Sequence, residues 1–204
     1  MHWFATYDKE YTLVATNYER LGYTFLGWST DKDATYASYV DGAIIKNLAS
    51  TSDATITLYA IWSINSYTIT FNADGGSEVS DIYLPYNSDI TSSTLTTKIG
   101  HEFLGWYTAD GKLYNIPSTM PAENVELIAH WKVLQYTVSF YDGENLIGSI
   151  TQDYNTTINE VLNPSVFEYN KVGHTFLNWN KEVPSVMPAE DVRVDGTFTI
   201  NSYD

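Results

Sequence analysis

Two histidines occupy the same position of a recurring motif and are the first residues of this sequence that could perform chemistry. His101 and His174 each follow a glycine and precede a Phe-Leu pair. Imidazole binds metals and transfers protons near neutral pH. Another copy of the motif has Tyr23 at this position, so the position accepts an aromatic ring that has no nitrogen ligand. We therefore interpret both histidines as packed aromatic residues and predict no metal site there.

An acidic loop is the second candidate, for calcium binding. Asp31 and Asp33 have the spacing of the first two ligands of a calcium loop. Such a loop needs glycine at its sixth position and glutamate at its twelfth, where this sequence has Tyr36 and Gly42. We therefore interpret residues 31–39 as a solvated surface loop. No metal and no cofactor are predicted for the chain.

Enzymatic chemistry finds little support in the sequence. The chain has no cysteine, which excludes a thiol nucleophile, and it lacks Gly-x-Ser-x-Gly, a glycine-rich phosphate loop and His-Glu-x-x-His. Its 25 acidic residues could include a pair of glycosidase carboxylates, but an acidic surface explains them without chemistry. We predict that the chain is not an enzyme and that it has no catalytic or cofactor-binding residues.

Three tryptophans raise the possibility of a binding surface. Trp28, Trp106 and Trp179 each end a copy of the recurring motif, and exposed indole rings can stack on sugars. The motif is mostly apolar, which favours the alternative that these rings pack in a core. Solvent exposure of the three rings, or of Tyr36 and Tyr39, discriminates between the two interpretations.

The charge balance restricts the partners of this protein. With 10 basic and 25 acidic residues among 204, its net charge is −15. Nucleic acids, anionic lipids and sulfated polysaccharides select cationic surfaces, so none of them is an expected partner. No run of about 18 apolar residues is present, and we predict no membrane insertion within this segment. The same charge favours solubility, and we expect a monomer.

Internal repetition organises the positions of all these candidates. The motif reads GYTFLGW at 22–28, GHEFLGW at 100–106 and GHTFLNW at 173–179. YTITF at 67–71 recurs as YTVSF at 136–140, and LYAIW at 58–62 recurs as LIAHW at 127–131 and as VDGTF at 194–198. Intervals of about 70 residues indicate tandem copies of one small unit. We predict a partial first repeat with an insertion at 1–63, a second repeat at 64–132, and a third repeat at 133–204 that includes the start of a following repeat.

Alternating and turn-forming residues predict β-strands within each repeat. Tyr67, Ile69 and Phe71 alternate with threonines, and Asp-Gly pairs at 74–75 and 142–143 predict hairpins with return strands near 80–84 and 147–151. The partial first repeat has no equivalent of the first strand, although residues 2–6 could substitute for part of it. Residues 63–66 and 132–135 are predicted to be short linkers without glycine or proline.

Two local predictions concern a bulge and a helix. Phe103 and Trp106 would face opposite sides of a regular strand, so we predict a bulge at Gly105 that turns both rings into one core. Asn178 replaces that glycine in the third repeat, and because asparagine is compatible with a positive φ, it supports the same bulge there. Residues 157–162 are predicted to form a short helix that ends before Asn163-Pro164.

The ordered markers resemble the listerial internalin B-repeat family, also called the Listeria–Bacteroides repeat. The resemblance rests on the Tyr-x-Val-x-Phe strand, Asp-Gly, Gly-Tyr-x-Phe-x-Gly-Trp, Met-Pro-Ala at 120–122 and 187–189, and the closing Leu-Tyr-Ala-x-Trp. This sequence departs from the pattern at Asn178, at 196–198, and at 52–54, where the first repeat lacks Met-Pro-Ala. The resemblance implies a mainly β (α+β) fold of small ubiquitin-like β-grasp units in an extended array, and it implies no catalytic residues.

Two functions follow from this resemblance and remain open at the level of sequence. The first is a stalk or spacer in an extracellular protein on the bacterial cell surface, with any signal and anchor outside these residues. The second is an adhesin module that recognises a host protein or glycan through an aromatic surface patch. The sequence identifies no residues of such a patch.

Overall fold

A computed structural model describes residues 4–202 of this protein, in which the regular structure is almost entirely β-strand. The mainly β fold predicted from the sequence is confirmed. The strands are β1 (Tyr11–Thr12), β2 (Tyr23–Ser29), β3 (Ile44–Ile45), β4 (Tyr59–Ile64), β5 (Ser66–Asn72), β6 (Ile82–Pro85), β7 (His101–Tyr107), β8 (Val125–Val133), β9 (Gln135–Asp142), β10 (Asn145–Asp153), β11 (His174–Trp179) and β12 (Val192–Ile200). One 3₁₀ helix spans Pro164–Phe167.

The third repeat contains a four-stranded sheet in the order β10-β9-β12-β11. Its first two strands form an antiparallel hairpin, in which Asn145 pairs with Asp142 across a two-residue turn. The last strand, β12, runs parallel to β9, and Val192 is paired with Val138. β11 pairs antiparallel with the other edge of β12. The first and last strands of this repeat are therefore neighbours that run in the same direction.

The core of the third repeat lies on one face of this sheet. Val138 and Phe140 are two residues apart on β9, and both are fully buried, as alternation along a strand requires. Val194 on β12 and Met187 of the Met-Pro-Ala motif complete the fully buried group, with Ile147, Ile158 and Val161 around it. Residues that are distant in sequence thus meet in one apolar cluster, which stabilises the repeat mainly through the hydrophobic effect.

The second repeat contains a sheet with the same strand order, β6-β5-β8-β7. Ile69 on β5 and Leu127 on β8 are buried, with exposed fractions of 0% and 1%. The chain divides into two compact units, one with residues Met1–Thr70, Asp81–Ser92 and Asn115–Glu126 and the other with the remainder. The three repeat boundaries stay a prediction.

The first repeat has less sheet than the other two in the described part of the chain. β2 pairs antiparallel with β4, and the short strands β1 and β3 pair with each other. No equivalent of β5 or β9 lies beside β4 among residues 4–202. The prediction that residues 2–6 replace this strand falls partly outside the described residues, and residues 4–6 are not in a strand.

The predicted bulge is confirmed in all three copies of the recurring motif. The strand register shifts between Phe103 and Gly105, and equivalent shifts occur in β2 and β11. Gly105 has a φ of 132°, a conformation that side chains disfavour. Asn178 forms the bulge without a positive φ, although asparagine is compatible with one. A bulge can be built without positive φ, so the third repeat keeps the shift with another backbone conformation.

The predicted helix at residues 157–162 is wrong. Thr157 forms an antiparallel bridge with Val186, and the amide of Ile158 donates to the carbonyl of Ser185, so this segment is extended. Asn163 begins a helix instead of ending one. Its side chain accepts from the amide of Ser165 and caps the 3₁₀ helix, which starts at a proline. An asparagine cap followed by proline is typical of a helix start, and this signal outweighed the apolar spacing before it.

The linkers between repeats are shorter than predicted. β4 ends at Ile64 and β5 begins at Ser66, so Asn65 alone separates them. Leu134 alone separates β8 from β9. The predicted linker length of four residues is wrong, because the flanking strands extend into both segments. In the part of the chain that the structure describes, no helix has the length and apolarity to cross a membrane.

Candidate functional site

Of the two candidate histidines, His101 packs against an aromatic ring, and the Nδ1 atom of His174 lies 3.0 Å from the carbonyl oxygen of Val172. The His101 ring contacts the ring of Tyr154 edge to face, with centroids 6.0 Å apart, and Nδ1 lies 2.9 Å from the carbonyl oxygen of Ile99. Tyr23 makes the equivalent contact with Tyr86 at 6.3 Å. Both contacts support the interpretation of this position as a packing position. Among residues 4–202, no three His, Cys, Asp or Glu side chains are grouped as a metal site.

The 31–39 loop satisfies its own polar groups. The amide of Asp33 donates to the Asp31 side chain, and the amide of Asp31 donates to the hydroxyl of Ser29. The Asp33 carboxylate pairs with Lys32 at 2.7 Å, with both side chains largely exposed. These contacts describe a solvated loop in which the carboxylates point to local partners.

The three tryptophans are held by ring contacts and by hydrogen bonds of the indole N–H. Trp106 is 4% exposed, and Trp28 and Trp179 are half-buried. The indole N–H groups of Trp106 and Trp179 donate to backbone carbonyls, those of Thr94 and Val161. The phenylalanine three residues before each tryptophan packs against it, with centroids 4.9–5.5 Å apart. These rings therefore belong to the packed interior more than to a flat stacking platform.

A cluster of three polar side chains in the third repeat, Asp142, Tyr169 and Lys171, shifts the pKa values of Asp142 and Tyr169. The Asp142 carboxylate accepts hydrogen bonds from Lys171 at 2.9 Å and from the Tyr169 hydroxyl at 2.8 Å. The hydrogen bond from Lys171 lowers the pKa of Asp142, and burial opposes this effect. The hydrogen bond to Asp142 raises the pKa of Tyr169, because the phenol donates only while it is protonated.

This cluster predicts a pH dependence of stability. Because the pKa of Asp142 is lower in the folded protein than in the unfolded chain, the stability it contributes is present above the unfolded value of about 3.9 and is lost as the pH falls through the folded value. Asp142→Asn should therefore show a smaller loss of melting temperature between pH 5 and pH 2.5 (roughly the range over which such a group titrates) than the wild type. Asp33→Asn, in an exposed pair, is the control and should match the wild type. Equal acid sensitivity of Asp142→Asn and wild type would contradict the assignment.

The most regular arrangement in the structure is the junction between successive repeats. The amide of Asn65 donates to the carbonyl of Gly22 at 2.9 Å, and the carbonyl of Asn65 accepts from the amide of Tyr86 at 2.8 Å. Leu134 repeats both bonds, as donor to Gly100 at 2.9 Å and as acceptor from Tyr154 at 2.8 Å. Each single linker residue is therefore bonded to the repeat before it and to the repeat after it.

A tyrosine ring closes each junction by lying against the glycine. A Cβ atom added to Gly22 would overlap the ring and Cβ of Tyr86, and one added to Gly100 would overlap the same atoms of Tyr154. Both glycines also have a positive φ, 75° and 69°. Only glycine combines this backbone conformation with the close approach of a ring, so the first residue of the recurring motif has two independent reasons to be glycine.

The tyrosines are presented by turns that the Met-Pro-Ala motif holds in place. The residues after them, Asn87 and Asn155, have φ values of 61° and 62°. The amide of Asn155 donates to the carbonyl of the fully buried Met187, and Asn87 makes the same bond to Met120. The buried methionine thus connects the core of a repeat to the turn that contacts the preceding repeat.

The amino-acid sequence matches a known family in each of its three repeats. The model of the Listeria-Bacteroides repeat domain matches residues 4–61, 67–130 and 136–193, which together make up most of the chain. The chain belongs to the Listeria-Bacteroides repeat family. The resemblance inferred from the sequence markers is confirmed.

Curated relatives of this Listeria-Bacteroides repeat protein are bacterial and much longer. The chain is 32% identical over 197 residues to a protein of Evansella cellulosilytica named "Putative membrane protein", covering 91% of this chain and 28% of the relative. It is 38% identical over 113 residues to Internalin H of Listeria monocytogenes, covering 54% of this chain and 19% of that protein. The chain thus spans less than a third of each of these relatives.

The junction residues of this Listeria-Bacteroides repeat protein were not recognised as a site from the sequence. A signal was present, because Tyr7-Asp8, Tyr86-Asn87 and Tyr154-Asn155 recur at one repeat position, as do the glycines that start the GYTFLGW-like motif. The pairing of one repeat's glycine with the next repeat's tyrosine joins residues that lie more than 50 positions apart. Periodicity shows that both positions recur but does not show that they meet.

Proposed function

We propose that this chain is a non-enzymatic spacer in an extracellular bacterial surface protein, built of β-grasp-like repeats in an extended array. The observation that carries the proposal is the junction, in which one linker residue is fixed on both sides by backbone hydrogen bonds. A spacer needs repeats that fold and joints that resist bending. It needs no reactive side chains, and the family relationship supplies none.

The junction favours stiffness for a simple physical reason. A flexible linker bends because its backbone φ and ψ angles are free, and freezing one residue costs about 1–2 kcal/mol of entropy. At Asn65 and at Leu134, two backbone hydrogen bonds offset this cost. A tyrosine ring also packs on the glycine whose carbonyl accepts one of these bonds. Swivelling at either linker would break both bonds and expose the ring.

The sheet topology of the third repeat favours an end-to-end arrangement. β9 and β12 are parallel neighbours, so the chain enters the repeat at one end of the sheet and leaves it at the other. Strands of eight and nine residues span roughly 30 Å at the usual rise per residue. This parallel pairing of first and last strands is also the feature that supports a β-grasp-like unit.

The relatives support a location at the cell surface. Internalin H and the Evansella cellulosilytica protein named "Putative membrane protein" are both several times longer than this chain, so the repeats would occupy part of a larger protein. The net charge of −15 adds repulsion between chains and keeps such a segment soluble.

An extended array predicts a radius of gyration in solution above the compact value. A compact 204-residue protein has a radius near 17 Å, and repeats joined end to end should exceed this by several ångströms. Small-angle X-ray scattering measures it, together with a distance distribution skewed to long distances. High salt should shorten the radius only slightly if the joints rather than charge repulsion hold the repeats apart. A radius near 17 Å would mean that the repeats pack side by side, and it would contradict the spacer function.

A groove beside the second junction favours an alternative function, recognition of a host protein or glycan. Its volume is about 630 Å³, and Ile99, Tyr154 and the Met-Pro-Ala segment at 187–189 are among its lining residues. Pockets of this size bind small ligands or peptide side chains. Ile99→Glu should abolish binding in screens of immobilised glycans and host proteins, and Val172→Glu, at the same position of the third repeat, should not. Screens without any binding would leave the spacer as the function.

A further inference from the structure

The third copy of the junction glycine is open, although its surroundings match the two closed copies. Gly173 has a φ of 72°, close to the 75° and 69° of Gly22 and Gly100. A Cβ atom added there would meet none of the described residues within 4 Å, whereas the other two glycines are covered by tyrosine rings. Gly22 and Gly100 are buried, and Gly173 is half-exposed.

The acceptor half of the joint is nevertheless already assembled at this glycine. The amide of Asn201 donates to the carbonyl of Gly173 at 2.9 Å, as Asn65 does to Gly22. The Asn201 side chain accepts from the hydroxyl of Thr175 at 2.7 Å, the same bond that Asn65 accepts from Thr24. His174 lies beside the glycine as His101 and Tyr23 do in the closed copies. Val172, the residue before the glycine, is 90% exposed.

We infer that Gly173, His174 and Asn201 form an open docking site for the tyrosine turn of a further repeat joined in the same chain after Asn201. The occupant is defined by the two closed copies: it is a tyrosine whose amide donates to the linker carbonyl, followed by a residue with positive φ. This inference rests on the junction geometry and goes beyond the spacer function, because an adhesin built of repeats would need the same joint.

The choice of a repeat in the same chain follows from the size of the contact. One tyrosine ring and one hydrogen bond form an interface far below the roughly 1,000 Å² that a stable complex of separate proteins requires. A covalent connection through one linker residue raises the effective concentration of the turn to the millimolar range or above. The Ile-Asn-Ser sequence at 200–202 also repeats Ile-Asn-Ser at 64–66, which leads directly into the second repeat.

This chain also contains a tyrosine turn whose ring covers no described glycine. Tyr7 occupies the position of Tyr86 and Tyr154, and Asp8 after it has a φ of 63°. The amide of Asp8 donates to the side chain of Asn47, which replaces the methionine carbonyl of the other repeats. Tyr7 is 65% exposed, whereas Tyr86 and Tyr154 are half-buried. The backbone of a tyrosine turn is thus formed here without a described glycine under the ring.

A fusion of the chain with a copy of its own second repeat tests the inference. Residues 66–133 are appended directly after Asn201, which preserves the Ile-Asn-Ser junction. The imidazole resonances of His174 should then shift toward those of His101, because each ring would face a tyrosine edge. The amide hydrogen of the appended Tyr86 should exchange at least about tenfold more slowly in this fusion than in the same fusion with Gly173→Ala, because the added methyl group would keep the tyrosine ring off this position.

Two controls keep this result interpretable. Replacing the appended Tyr86 by alanine should return the His174 resonances to their values in the unextended chain, and the appended Trp106 indole resonance should report that the added repeat remains folded. If the added repeat does not fold, residues 135–201 are appended in its place. A folded added repeat that leaves the His174 resonances and the tyrosine amide exchange unchanged would overturn the inference.

Association between separate chains is the remaining outcome to examine. If the His174 resonances of the unextended protein move with protein concentration, and if Tyr7→Ala abolishes the movement, the occupant is a second copy and the inference of a repeat in the same chain is wrong. Concentration-independent resonances support it. Both outcomes are separate from the scattering test, because an extended chain can have an open or a closed third joint.

Discussion

Replacing Trp106 by alanine is expected to lower the free energy of unfolding by about 3–5 kcal/mol, the usual range for a buried large aromatic side chain. The ring is 4% exposed and packs against Phe71 and Phe103, with centroids 4.8 and 5.5 Å away. Its removal leaves a cavity between these rings. It also leaves the carbonyl of Thr94 without its indole donor, which adds a desolvation cost.

Leu104→Ala is the matched control for this substitution. Leu104 lies in the same motif two residues earlier, and it is 47% exposed. A partly exposed side chain on the solvent face of a strand should cost less than about 1 kcal/mol when truncated. Urea denaturation followed by circular dichroism measures both variants. A loss below about 1 kcal/mol for Trp106→Ala would contradict the packing interpretation and would return this ring to the list of candidate binding surfaces.

The second large effect is expected for Gly100→Ala at the junction between the second and third repeats. The added methyl group would overlap the ring of Tyr154, and alanine is also strained at a φ of 69°. The strain costs about 1–2 kcal/mol, and displacement of the ring adds about 1–3 kcal/mol, as other overpacked sites do. We expect the ring to leave the glycine and the two hydrogen bonds of Leu134 to weaken.

Gly173→Ala separates the two contributions. This glycine has nearly the same φ, 72°, but no described residue lies close enough to meet the added methyl group. It should therefore show the strain of about 1–2 kcal/mol without the overlap. Amide hydrogen exchange of Tyr154 measures junction opening directly, and it should accelerate in Gly100→Ala and remain unchanged in Gly173→Ala. Equal exchange in the two variants would contradict the junction as a fixed joint.

Much of the fold could be predicted from the sequence because the determining signals are local or periodic. Alternation in Tyr67, Ile69 and Phe71 predicted a strand, since the period of two is set by backbone geometry alone. The three-residue spacing of Phe103 and Trp106 around a glycine predicted the bulge, because no regular strand places both rings on one face. The ordered markers at about 70-residue intervals predicted the family.

Local patterns also produced the errors. The apolar spacing in residues 157–162 predicted a helix, but tertiary pairing of Thr157 with Val186 made the segment extended. Asparagine at position 178 is compatible with a positive φ, yet the bulge there forms without one. In both cases the sequence showed which conformations a segment permits, and the contacts made elsewhere in the chain selected among them.

The sequence by itself therefore determined that this protein is a tandem array of one β-rich unit and that its tryptophan motif has an apolar role. Only the tertiary structure decided that the glycine opening each of the first two copies of the motif lies under the tyrosine of the next repeat, as Gly100 lies under Tyr154. The physical reason is that a contact between distant positions depends on how whole sheets are placed, which spacing along the chain does not encode. The same placement leaves Gly173 uncovered by any described residue, with Asn201 held in the geometry that closes the other joints.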